Sequence, residues 1–127
     1  MKFLLDTHIL LWALTNDERL PKDTREIIAD RRHDVFVSSA SIWELAIKQS
    51  LGKIPATDLY LIERAILDTG FTPLEITIRH ASEVTQLPPH HRDPFDRMLI
   101  AQAISEGARL ITHDVQLSKY GATVQVV

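Results

Sequence analysis

Strand-like and helix-like segments alternate from one end of this chain to the other. Lys2 to Leu5, the β-branched and aromatic Val35-Phe36-Val37, Thr72 to Ile76, Arg109 to Thr112 and Ala122 to Val127 read as strands. Between them, Thr7 to Leu14, Lys22 to Arg31, Ala40 to Leu51, Thr57 to Thr69, Thr77 to Gln86 and Asp96 to Ser105 read as helices, with Gly52 and Gly70 as stop signals. Pro73 marks its segment as an edge strand or a strand start, and Leu87 to Arg92 is a loop. This alternation predicts an α/β fold with a mostly parallel central sheet and helices on both faces. With 127 residues, no repeat and no linker, the chain reads as a single domain over 1–127.

In such folds the functional cleft lies outside the carboxyl ends of the strands. Asp6 directly follows the first strand, and Asp114 lies two residues beyond Thr112 at the end of another. Glu44 sits on the first turns of the helix after Val35–Val37, and Asp93 and Asp96 open the helix before the Arg109 strand. Acids from opposite ends of the sequence are therefore delivered to one sheet edge, where they repel one another unless cations are present.

Each acid also has a plainer reading. Asp93-Pro94-Phe95-Asp96 is a good helix start, with Asp at the N-cap and Pro at the first helical position. Ser41-Ile42-Trp43-Glu44 fits a capping box, and Glu44 can pair with Lys48 one turn on. Asp6 and Asp114 can cap the helices that follow them. Capping explains any one of these residues more easily than the convergence of all five.

Hard divalent cations such as Mg²⁺ or Mn²⁺ take oxygen ligands, keep several waters and need few carboxylates, often shared with a substrate phosphate. Asp6 and Asp96 are the expected direct ligands, with Glu44, Asp93 and Asp114 as ligands or supporting groups. Thr112 is placed to hydrogen-bond the ion's hydration shell or to position a carboxylate. Among the bases, Arg92 and Arg97 flank the two acids of one helix start and, with Lys48, are the expected phosphate contacts; Lys53 reads as surface charge. Trp12 and Trp43, with Leu11 and Ile47, read as core or packing residues, and the apolar Trp12 helix also fits burial against a partner chain.

The histidines offer a competing chemistry. His8, His90, His91 and His113 fall near the same edge, so histidine acid–base cleavage or a zinc site is conceivable, yet no His-x-x-x-His pair occurs. His90-His91, on a proline-flanked loop, reads as a solvated pair. With no cysteine there is neither a disulfide framework nor a thiolate site. The N-terminal apolar run is broken by Asp6 and His8 and lacks a small-residue cleavage site, which reads as a cytoplasmic start; no stretch nears the roughly 20 apolar residues of a membrane span.

Four blocks carry a family resemblance: Leu5-Asp6-Thr7-His8; Ser41 to Lys48 with Leu51-Gly52-Lys53; Arg92-Asp93-Pro94-Phe95-Asp96-Arg97 continuing to Ala103; and Ile111-Thr112-His113-Asp114. In order and over nearly the whole chain, they resemble the PIN-domain ribonucleases, and more narrowly the VapC-type toxins of toxin–antitoxin pairs. The resemblance implies a PIN fold and Mg²⁺- or Mn²⁺-dependent endonucleolytic cleavage of RNA. It places the family acids on Asp6, Glu44, Asp96 and Asp114, with Asp93 an additional acid that leaves open which of the pair binds metal; Asp96 is favoured. It further implies a homodimer, inhibited by a cognate antitoxin protein whose tail lies in the active-site groove, with operator DNA touched only through the antitoxin and no membrane partner. The first and third helices are then candidate dimer or antitoxin surfaces.

Two other readings stay open. The acidic pocket could accept a phosphoryl group, with Asp6 and Lys48 as the rough candidates, or the domain could act without catalysis through a protein partner. Charge does not decide against RNA. The net charge is -3, but removing the five acids from the 17 present leaves 12 against 14 basic residues, so the rest of the chain carries +2. That excludes a strongly basic, non-specific binder and nothing more.

Overall fold

The first strand, β1 (Lys2–Leu5), lies at the centre of a five-stranded sheet ordered β3-β2-β1-β4-β5 in the computed structural model, which describes residues 1–127. Its neighbours are β2 (Asp34–Ser38) and β4 (Arg109–Thr112), with β3 (Thr72–Leu74) and β5 (Val124–Val126) at the edges; every pairing is parallel. Phe3 sits opposite Val35 on one side and Arg109 on the other. Pro73 lies on edge strand β3, where its missing N–H costs no central ladder bond.

Side chains alternate across this sheet and build two cores. Phe3, Leu5, Val35, Val37 and Ile111 face one side, with Ile9, Leu10 and Trp12 of α1 (Thr7–Thr15), Ile28 of α2 (Lys22–Ala29) and Ile66 of α4 (Leu59–Thr69). Leu4 and Leu110 face the other side, with Ala40 of α3 (Ser39–Ser50) and Leu99, Ile100 and Ala103 of α6 (Pro94–Glu106). Burial on both faces is why the middles of the central strands are apolar without alternation.

Element ends follow the capping residues more closely than the hydrophobic pattern. The α4 helix starts at Leu59, two residues later than expected, because the Asp58 carboxylate accepts the Tyr60 N–H at 3.0 Å. Ser38, not Ser41, caps α3 by accepting the Ala40 N–H, so the expected capping box over Ser41–Glu44 is absent. Thr77 caps α5 (Ile78–Glu83) in a reciprocal box with His80, which ends the preceding extended stretch, and α5 then tightens into a 3-10 turn over Val84–Gln86. Residues Val115–Thr123 form 3-10 turns kinked at Gly121, whose φ of 85° lies in the left-handed region, and this delays the last strand to Val124.

The topology places the site. From β1 the chain steps outward through β2 to β3 and then crosses to β4 on β1's other side, so the order reverses beside β1. The carboxyl ends of β1, β2 and β4 therefore open onto one crevice, the usual ligand position in open α/β sheets.

Candidate metal centre

Asp6 leaves β1 and becomes the N-cap of α1. Its Oδ1 accepts the Ile9 N–H at 3.0 Å and its Oδ2 accepts the Thr112 hydroxyl. Thr112 closes a second link, accepting the Asp114 N–H on the same Oγ1 at 3.1 Å. One buried hydroxyl thus couples the acid after β1 to the acid after β4. Asp114 itself caps the turn that follows, accepting the Gln116 N–H at 2.9 Å.

Glu44 enters from α3 and is 6% exposed. It is held at both oxygens: Thr7 donates to Oε1 at 2.7 Å and Lys48 donates to Oε2 at 2.6 Å. The helix-pair reading of Glu44 and Lys48 therefore holds, and the pair stands at the pocket. Glu44 holds the Lys48 ammonium above the usual lysine range, with further help from Asp93 and Asp96. Thr7 went unmarked in the sequence, although a hydroxyl directly after Asp6 at a helix start was a visible signal.

Asp93 does the capping its sequence context suggested. Its Oδ1 accepts the N–H groups of Phe95 and Asp96 at 2.8 and 3.2 Å, with Pro94 at the first helical position. That frees Asp96 to face the crevice. Its carboxyl is pushed up to about 7, first by burial and then by the negative charges of Asp93, Glu44, Asp6 and Asp114. All five acids are thus electrostatic neighbours at one point. Burial also raises the Asp6 carboxyl, against the opposing pull of Ile9 N–H and the Thr112 hydroxyl.

Two site residues differ from expectation. Arg97 is occupied inside the protein: Nη1 donates to Pro88 O at 3.1 Å, His91 O at 3.4 Å and Tyr120 Oη at 3.3 Å, and Nη2 donates to Val84 O at 3.1 Å. Its expected phosphate role gives way to anchoring the loop that precedes α6. Arg92 is exposed and makes no ion pair, and so stays available. His91 is the second difference. Only His90 behaves as a loop histidine, exposed and edge-on to the Tyr120 ring at 5.1 Å. His91 turns inward, its Nε2 3.4 Å from Asp114 Oδ2 and 3.7 Å from Asp96 Oδ2.

The donor set suits a hard cation. The crevice offers carboxylate oxygens in excess of its one ammonium and no thiolate, and His91, Asp96 and Asp114 present ligand-type atoms all within 4.8 Å of one another. Asp6 keeps unshared lone pairs after its two hydrogen bonds. A histidine-rich zinc site is not assembled: no group of three metal-ligand side chains holds a second histidine, and His113 is turned to Val127 O at 2.7 Å and to the Trp12 ring.

The tryptophans divide. Trp12 is in the core at 7% exposure, whereas Trp43 is 58% exposed, edge-on to Phe95 at 5.2 Å, so its core reading is corrected. Helix α3 points this ring outward because Glu44 and Leu45, its buried neighbours, take the inward face.

Thr112→Val should lower stability by about 1–2 kcal/mol, read from a urea unfolding midpoint, since it strips one acceptor from the Asp114 N–H and one donor from buried Asp6. Thr112→Ser should recover most of the loss.

Comparison with known proteins agrees with this geometry. The PIN domain model matches residues 3–122. Ribonuclease VapC16 of Mycobacterium tuberculosis is 35% identical over 63 residues, a stretch covering 47% of this chain and 44% of that relative. The chain therefore spans under half the length of that curated relative. Among solved structures, VapBC2 from Rickettsia felis bound to a DNA fragment from its promoter superposes with a TM-score of 0.70 at 16% identity, covering 100% of this chain and 98% of that one. VapBC-1 from nontypeable Haemophilus influenzae gives 0.67 at 22% identity, covering 100% and 97%, and DNA-bound VapBC from Salmonella typhimurium gives 0.64 at 18%, also covering 100% and 97%. At these identities the structures speak for the fold alone.

Proposed function

The chain belongs to the PIN domain family, and from that premise we propose that it is a VapC-type, metal-dependent endoribonuclease hydrolysing RNA phosphodiester bonds, the toxin of a toxin–antitoxin pair. The observation that carries the reading is the convergence of Asp6, Glu44, Asp93, Asp96 and Asp114, with Asp96 pushed up to about 7 first by burial and then by the charges of the other four. Five carboxylates converging in one crevice at the strand ends, one of them raised by burial and by the others, is the pattern expected of a cation or catalytic site.

Asp6 and Asp96 are the proposed direct ligands of Mg²⁺ or Mn²⁺, with Asp114 and Glu44 completing or supporting the set. When bound, the ion supplies Lewis acidity and the positive charge that admits a phosphodiester among carboxylates. The chain's own residues do the rest. Thr112 and the α1 N-terminus fix Asp6, Thr7 and Lys48 fix Glu44, and Asp93 fixes the start of α6, so the carboxylates meet the ion already oriented. Arg92 and the Lys48 ammonium are the proposed backbone-phosphate contacts.

The phosphoryl-acceptor reading has less support, because the Lys48 ammonium it would need beside Asp6 is bonded to Glu44 instead. The proposed partners are a cognate antitoxin and a second copy of the chain, with operator DNA engaged through the antitoxin, and the proposed location is the cytoplasm. No helix is long and apolar enough to cross a membrane. A partner surface is better supported on α3 and α4, which expose Trp43, Tyr60, Leu61 and Leu67, than on α1, whose Ile9, Leu10 and Trp12 are spent in the core.

The test is cleavage of cellular RNA by the purified chain. Cleavage should vanish in EDTA and return with Mn²⁺ or Mg²⁺; full activity in excess EDTA would falsify the proposal.

A further inference from the structure

We infer that His91 is a positioning residue of the acidic pocket, holding the Asp114 and Asp96 carboxylates in place through its Nε2–H while staying outside the coordination sphere. This rests on the metal-dependent reading above and adds to it a residue outside the four family acids.

The argument starts at the far side of the ring. The Asp93 N–H donates to His91 Nδ1 at 3.1 Å, so Nδ1 is the lone-pair nitrogen and the ring hydrogen sits on Nε2. That Nε2 faces two carboxylates, 3.4 Å from Asp114 Oδ2 and 3.7 Å from Asp96 Oδ2. Both distances are longer than an aligned hydrogen bond, so the contact in this geometry is electrostatic, and a small rotation of ring or carboxylate closes it on either acceptor. Coordination through Nε2 demands the opposite tautomer, in which an Nδ1–H would point at the Asp93 N–H.

The ring is fixed from two sides. Arg97 donates to the His91 carbonyl at 3.4 Å, and the Asp93 N–H that holds Nδ1 belongs to the N-cap of α6. One side chain therefore ties the helix carrying Asp96 to the turn carrying Asp114. Asp96 and Asp114 repel each other, and a donor hydrogen between them offsets that repulsion without taking up the cation's place. Lys48 cannot serve both ends of the pocket, since its short bond is to Glu44. Groups that orient ligating side chains in this way typically change metal affinity 10–100-fold when removed.

The experiment is Mn²⁺ binding followed by electron paramagnetic resonance, with spin-echo detection of nitrogen coupling, on the full chain and on His91→Phe and His91→Gln. Phe keeps ring volume without a donor, and Gln keeps an N–H at similar reach. His91→Phe should weaken Mn²⁺ binding roughly 10–100-fold, His91→Gln should stay within about threefold, and wild type should show no directly coordinated imidazole nitrogen. An affinity in His91→Phe equal to wild type overturns the inference. So does a coordinated-imidazole signal in wild type, a measurement that stands even if His91→Phe fails to fold. Asp96→Asn separates the two levels: if it leaves wild-type Mn²⁺ affinity unchanged, the acidic pocket is not the metal site and both readings fall.

Discussion

Asp96→Asn is expected to abolish RNA cleavage, by on the order of a thousandfold or more, while making the metal-free protein more stable. The two effects share a cause. Asp96 is raised to about 7 by burial and by four neighbouring carboxylates, so its ionised form is strained in the fold and comfortable in the unfolded chain, where its pKa is about 3.9. For an acid raised on folding, the native state binds more protons than the unfolded state between those two values, and stability falls as pH rises through that window. Metal-free wild type should therefore lose stability from about pH 4 to about pH 7, with Asp6, also raised by burial, acting in the same direction. Asp17 and Asp30 work oppositely. Arg19 and Arg32 hold them low, Asp17 at about 2, so their stabilisation is present above the unfolded value and is lost only in more acid solution. The amide in Asp96→Asn removes the charge, and at pH 8 in EDTA the variant should gain on the order of 2 kcal/mol; about 4 kcal/mol is the ceiling at 1.36 per pH unit, discounted because Asp96 is partly solvated. Urea unfolding at pH 5 and pH 8 reads this, because an uncharged denaturant leaves the carboxylate repulsion unscreened. Adding Mn²⁺ should reverse the ranking, since binding stabilises only a chain that keeps its ligand. A variant that is inactive and also destabilised at pH 8 would show that Asp96 supports the fold, and the strained-acid account would be wrong.

The residues that were legible in the sequence are those whose partners lie within a helical turn. Asp6, Asp93 and Asp114 announce their caps because the donating N–H groups are two or three residues on, and Lys48 announces its bond to Glu44 because it is four residues away. The parallel sheet was legible because strand–helix alternation leaves few alternatives. The hidden contacts are long in sequence. The sequence marks Thr112 as a residue able to position a carboxylate but not that the carboxylate is Asp6, 106 residues away, and it does not show Thr7 reaching Glu44 across 37. His91 was misread for a related reason: prolines at 88 and 89 say loop, and loop says solvent, but the Arg97 guanidinium pulls that loop back onto α6. Trp43 shows the converse error, because an aromatic residue next to buried positions on a helix is not itself buried.

Arg97→Met is expected to cost about 2–3 kcal/mol, a fall of roughly 1 M in urea midpoint, even though Arg97 has no carboxylate partner. Its guanidinium is the common donor to Val84 O, Pro88 O, His91 O and Tyr120 Oη, which joins the start of the 3-10 segment, the proline loop and the C-terminal turns. Methionine matches the aliphatic stem but leaves these acceptors to find water, and Arg97→Lys should recover little because one ammonium cannot span a planar fork of four acceptors. The loss should reach the site as well. The His91 carbonyl is one of the released groups, so the loop that seats the ring against Asp96 and Asp114 loosens, and cleavage should fall together with stability. A phosphate contact would behave differently: substituting it would raise KM, flatten the salt dependence of RNA binding and leave the unfolding midpoint in place. Arg92→Met, which removes an exposed cation with no internal acceptor, should show that second pattern. Finding the phosphate pattern at Arg97 and the stability pattern at Arg92 would reverse the assignment of these two arginines.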